Sequence, residues 1–134
     1  MTHASVSQSA LFRLSTRICS ALICALGISA NANNITVTNT NDSGPGSLRQ
    51  ALADAFDGDT INFHLPANRH TITLTNGGLG IDKRVTISGP GADQLSIDGN
   101  RTGCVFGVAQ YNIVRISGLT VTNGDCGITA TTPR

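Results

Sequence analysis

The chain has 134 residues and a formal net charge of +1, enough for one domain at most. Only 13% of its residues are charged, and the basic ones are scattered, which excludes the clustered basic face of a nucleic-acid binder. Aromatics make up 4% of the chain while Thr, Asn and Gly abound, the composition of many short strands joined by tight corners.

Arg13 and Arg17 precede an apolar run at residues 18–28 (ICSALICALGI), and small residues follow at 29–32 (SANA). Basic region, short apolar core and small residues, in that order, predict a secretory signal peptide over residues 1–32. Eleven apolar residues are too few to span a bilayer. No second such run follows, so no transmembrane span is expected. Neither Cys19 nor Cys24 has the Leu three residues earlier that a lipoprotein signal carries. The exported remainder, from Asn33 on, has seven basic residues against eight Asp and no Glu, a net charge of −1.

Residues 35–38 (ITVT) alternate apolar and polar, the mark of a strand with one buried face. A turn-rich stretch follows at 39–46, and then the period changes. Leu48, Ala51, Leu52, Ala55 and Phe56 are spaced as one face of a helix, with Ser47 as N-cap and Asp57-Gly58 as stop. This amphipathic helix is expected to cap the first coil by burying Leu48, Leu52 and Phe56. Residues 59–63 (DTINF) read as the next strand, and residues 33–63 together as an N-terminal cap of strand, helix and strand.

From residue 64 to 134 the pattern repeats. Residues 72–77 (ITLTNG), 95–100 (LSIDGN) and 119–124 (LTVTNG) each alternate and then end in a Gly/Asn turn, with starts 23 and 24 residues apart. A strand recurring at that spacing predicts a solenoid of stacked coils. By that register Ile72, Leu95 and Leu119 form one inward column, and Leu74, Ile97 and Val121 the next. Thr75, Asp98 and Thr122 point outward beside the turn. Strands at 85–87, 104–106 and 114–116 supply the other faces of each coil. Asn76, Gly77, Gly99, Asn100, Asn123 and Gly124 are corner residues, because Asn and Gly tolerate left-handed backbone. Cys104 and Cys126 lie 22 residues apart, close to one coil. An oxidising compartment favours a bridge between them. A 24-residue register would instead set Cys104 beside Ile128, leaving two free thiols, and both readings stay open.

Residues 46–52 (GSLRQAL), 58–63 (GDTINF), 85–91 (VTISGPG), 95–100 (LSIDGN) and 116–124 (ISGLTVTNG) occur in that order. As a set, over about residues 35–128, they resemble the N-terminal end of bacterial exported proteins of the pectin-lyase-like superfamily. They are most similar to those related to polymorphic outer membrane proteins and adhesins. The resemblance implies an all-β fold: a right-handed parallel β-helix of about three coils, with an N-terminal strand and a capping helix. It also implies bacterial export to a secreted or cell-surface location, and a chain truncated at its C-terminus, since such proteins run to many more coils. An open last coil is expected to favour self-association.

The superfamily includes polysaccharide lyases and hydrolases, so the resemblance raises two kinds of chemistry. A calcium-dependent lyase needs several carboxylates on one face and a basic residue beside them. A glycoside hydrolase needs two facing carboxylates. Asp82, Asp98 and Asp125 are the candidates, and no register clusters them. Lys83, Arg84 and Arg115 read as solvated surface charges, and His64 and His70 as loop histidines around Pro66. Residues 77–82 (GGLGID) match the start of a calcium nonapeptide, but the apolar eighth position is Arg84 and there is no tandem copy. A tight turn is expected there. No catalytic residue, cofactor or metal is therefore assigned. The expected role is a non-enzymatic adhesive or structural module meeting a host or matrix surface or a polysaccharide. The alternative is the N-terminal fragment of a polysaccharide lyase or hydrolase whose active coils lie elsewhere.

Overall fold

The structure, a computed structural model, describes residues 31–130. All but the last two residues of the expected signal peptide lie outside the described residues. The rest forms a parallel β-solenoid of about four turns with one short helix. In chain order the elements are β1 (Asn34–Val37), α1 (Leu48–Asp54), β2 (Thr60–Phe63), β3 (His70–Thr73), β4 (Leu79–Ile81), β5 (Thr86–Ser88), β6 (Leu95–Asp98), β7 (Cys104–Val108), β8 (Arg115–Ser117), β9 (Thr120–Thr122) and β10 (Cys126–Ala130). Three parallel sheets, ordered β1-β2-β5-β8, β3-β6-β9 and β4-β7-β10, form the faces of the solenoid.

The extra turn over the three expected comes from β1. The strand β2, read above as part of the cap, lies inside the four-stranded sheet between β1 and β5. Its register sets Ile35, Ile61, Ile87 and Ile116 in one column through all four turns. Ile61 and Ile87 in the middle are fully buried. Like residues stacked on like give Ile61 and Ile87 a matched neighbour on both sides, which favours close packing of a thin core.

The register of β3-β6-β9 corrects two expected columns. Leu95 precedes Ile97 in β6 as expected, and Ile97 pairs with Val121, but Ile97 pairs with Ile72 and not Leu74. The first coil is offset by two residues, so His70 and not Ile72 lies beside Leu95. A slip of two keeps every side chain on its face, so alternation in the sequence does not detect it. Leu74 lies just past β3, buried, with its N–H donating to the Asp98 carbonyl at 2.8 Å. The outward column is accordingly Thr73, Asp98 and Thr122, not Thr75.

A third correction concerns residues 77–82. Leu79–Ile81 is the strand β4, with Leu79 and Ile81 buried and Gly80 exposed between them. The apolar-small-apolar pattern outweighs the turn signal of the flanking glycines, because β7 offers a partner strand.

Ser47 caps α1 as its type predicts. Its hydroxyl accepts from the Gln50 N–H at 3.1 Å and donates to the Gly44 carbonyl at 2.7 Å. Leu48, Ala51 and Leu52 are buried, and α1 lies against β1 and β4. Phe56 is not part of that face. The helix ends at Asp54, Ala55 is extended and takes the buried place, and Phe56 turns out to 73% exposure. Asp59 causes the early exit. Its carboxylate, on a fully buried residue, accepts from the Phe56 N–H at 2.8 Å and from the Asn33 N–H at 2.8 Å. Those two donors hold its carboxyl below the ordinary range.

Candidate functional site

Asp42, Asp57, Asp59 and Asp98 fasten the backbone. Asp42 is the clearest case. It accepts from Arg49 at 2.7 Å, from the Thr75 N–H and hydroxyl at 3.0 and 2.9 Å, and from the Asn76 N–H at 2.8 Å. Burial alone would raise its pKa. The bonds from Arg49, Asn76 and Thr75, with the Arg49 charge, outweigh that and pull it down to about 2. Arg49 then donates onward to the Gly77 and Gly78 carbonyls at 2.7 and 3.0 Å. The pair ties the loop before α1 to the corner between β3 and β4. Asp57 accepts from the Arg84 N–H at 2.9 Å, and Lys83 donates to the Ala53 carbonyl at 3.0 Å, so the cap is fastened on both sides.

Asp98 serves the next corner. It accepts from the Asn100 N–H at 2.8 Å and from the Asn123 amide of the following coil at 3.1 Å. Asp82 follows β4, on a different corner from Asp98 and Asp125. No pair of facing carboxylates joins Asp82 to either. Among the described residues, no three of His, Cys, Asp and Glu gather where they would hold a metal. His70 is not in a loop: it opens β3, with Nε2 2.6 Å from the Pro66 carbonyl. His64 directly follows β2, exposed, and its N–H donates to the Val37 carbonyl at 2.8 Å.

The corner residues divide by physical reason. Gly77, Asn100 and Asn123 take positive φ of 79°, 52° and 51°, whereas Asn76, Gly99 and Gly124 do not. Gly99 and Gly124 are needed for closeness: a Cβ on either would stand 2.8 or 2.7 Å from Val105 Cγ2, inside contact distance. Cys104 and Cys126 pair directly across β7 and β10 and form a disulfide, with Cα atoms 4.4 Å apart. Cys104 is not beside Ile128, because that last coil is 22 residues long at this face.

One surface gathers polar groups that the fold does not use. A groove of about 320 Å³ runs along the β3-β6-β9 sheet, lined by Arg69, His70, Thr71, Ala92, Asp93, Gln94, Ser96 and Thr120. Thr71, Ser96 and Thr120 stack in register as its floor. Thr120 donates to the Ala92 carbonyl at 2.6 Å. The side chains of Arg69, Thr71, Asp93, Gln94 and Ser96 have no hydrogen-bond partner among the described residues. A cation, a carboxylate, an amide and two hydroxyls are thus held on a rigid floor, open to a polar ligand. No motif marks these residues in the sequence; only the register brings together side chains spread from residue 69 to 120. No family model, curated protein or solved structure matches the chain.

Proposed function

We propose that the chain is a non-enzymatic, exported β-helix module of the pectin-lyase-like kind, with an adhesive or structural role at a cell surface. One observation carries the reading: Asp42, Asp57, Asp59 and Asp98 are committed to fastening corners and cap, while the unused polar groups spread along an open groove. A surface of that kind holds a ligand by many weak hydrogen bonds and has no converging pair to cleave it. The signal-like N-terminus and the ordered set of pectin-lyase-like segments support export.

The test is retention against turnover. The exported chain is passed over immobilised cell-surface polysaccharide and over polygalacturonate with calcium, and both bound protein and released sugar are measured. The expected result is retention without release, weakened when Ser96 and Asp93 are changed to Ala. Calcium-dependent cleavage that is lost on changing Asp98 would sink the proposal and favour a polysaccharide lyase.

A further inference from the structure

Asn is followed by Gly at two places in the chain, Asn76-Gly77 and Asn123-Gly124. The first pair lies between β3 and β4 and the second between β9 and β10, the same corner of two different coils. An asparagine ahead of a glycine is open to attack by its own main chain. The glycine nitrogen reaches the side-chain carbonyl carbon, and glycine carries no side chain to block the approach. In a folded corner the attack needs a side-chain amide that is not held, a peptide group that can turn, and room beside the glycine.

Both asparagines are exposed, but the two corners differ in all three needs. The Asn76 side chain has no hydrogen-bond partner among the described residues. Neither the Asn76 carbonyl nor the Gly77 N–H is bonded among them, so the peptide plane between the two residues can turn while its neighbours stay fastened. A Cβ at Gly77 would meet no atom within 4 Å. Asn123 is held at each point. Its amide donates to the Asp98 carboxylate at 3.1 Å, and its carbonyl accepts from the Arg101 N–H at 2.8 Å. A Cβ at Gly124 would stand 2.7 Å from Val105 Cγ2 and 2.8 Å from the Cys126 carbonyl oxygen.

We infer that Asn76-Gly77 is a self-modification site whose product opens the clasp formed by Asp42 and Arg49 on that corner. The Gly77 nitrogen bonds to Asn76 Cγ, the Cγ–Nδ2 bond breaks, and ammonia leaves with the Gly77 proton. Water then adds to one or the other carbonyl of the cyclic imide. The ring opens to aspartate or, with the main chain rerouted through Cγ, to isoaspartate. Water is the only co-reactant, and nothing is oxidised or reduced.

The place of that bond gives the reaction its consequence. Asp42 grips the corner by the N–H groups of Thr75 and Asn76, at 3.0 and 2.8 Å. Arg49 grips it by the carbonyls of Gly77 and Gly78, at 2.7 and 3.0 Å. The Asn76–Gly77 bond is the link between the two grips. Isoaspartate lengthens the main chain there by a methylene, so the two grips no longer fit one span. Aspartate sets a carboxylate a few bonds from the N–H that Asp42 holds, and like charges at that range repel. Either product loosens the loop before α1 from the corner between β3 and β4. This inference goes beyond the adhesive reading and stands or falls apart from it.

The test follows the chain as it ages. It is held in mildly alkaline buffer below its melting range, then digested and mapped by mass spectrometry. Asn76 is expected to convert about tenfold or more faster than Asn123, the ratio set by the charged hydrogen bond that Asn123 must first break. Asp98→Ala releases the Asn123 amide, so conversion there should rise while that of Asn76 stays the same. Asn76→Ser should abolish the fast product and keep the native thermal midpoint. The aged chain, separated by its added charge, should melt lower than the fresh one and exchange its Thr75 and Asn76 amide hydrogens faster. Asn76→Asp made directly should do the same. Equal rates at the two pairs, a faster Asn123, or an Asn76 that lasts as long as asparagines not followed by Gly would overturn the site. Conversion that leaves both the midpoint and that exchange unchanged would overturn the unclasping.

Discussion

Asp42 shows how much one side chain sets in this protein. Four donors converge on a carboxylate that is nine-tenths buried, and through Arg49 it binds a loop to a corner of the first coil. Asp42→Ala is expected to cost about 2 kcal/mol, the scale of charged hydrogen bonds, measured by denaturant unfolding. The pH dependence has a definite sign. Its folded pKa is depressed to about 2 from 3.8, so its stabilisation is complete above about pH 4 and is lost as pH falls toward 2. The melting temperature of the native chain should fall over that range more steeply than that of Asp42→Asn. The disulfide is the second residue-scale anchor. It closes a loop of 22 residues, and Cys126→Ser should destabilise by about 3 kcal/mol on loop-entropy grounds.

At the scale of elements, α1 and β4 divide what was legible from what was not. Helical period and Ser47 together announce α1, and the structure keeps Leu48, Ala51 and Leu52 inside it. Phe56 continues the same period, yet a buried Asp59 captures its N–H and the helix ends two residues sooner, at Asp54; no local pattern records that bond. β4 was hidden because two glycines imitate a turn, while its partner β7 lies 27 residues away. The groove of Arg69 and Thr120 was invisible for the same reason: its members share a face only after the coils stack. Alternation fixes which side of a strand is buried but not which residue of the next coil it meets. Ser47→Ala should cost about 1 kcal/mol and should raise hydrogen exchange in β1 and β4 before β6. Uniform loss across all coils would contradict this local coupling.

The described residues form a one-dimensional stack, covered differently at its two ends. At one, α1 covers β1 and β4, and Val37, Leu48 and Ile61 are fully buried. At the other, β8, β9 and β10 are sheet edges, with Ile128 57% exposed and Ile116, Leu119 and Val121 half-buried. In a stack, each coil is stabilised chiefly by its neighbours, so Ile87→Ala, in the middle of the isoleucine column, should cost about 2–5 kcal/mol. The same change at the half-buried Ile116 should cost much less.

That isoleucine column also bears on how such a chain diverges. Its members stand at 35, 61, 87 and 116, so the last coil is three residues longer than the two before it while the column itself never breaks step. The surplus is taken up at corners, among them residues 109–114 ahead of β8, where Tyr111 stands. Insertions and deletions there leave the interior undisturbed. Heritable variation is thereby channelled to the loops that face the surroundings, and a lineage can explore new surface chemistry without renegotiating its core.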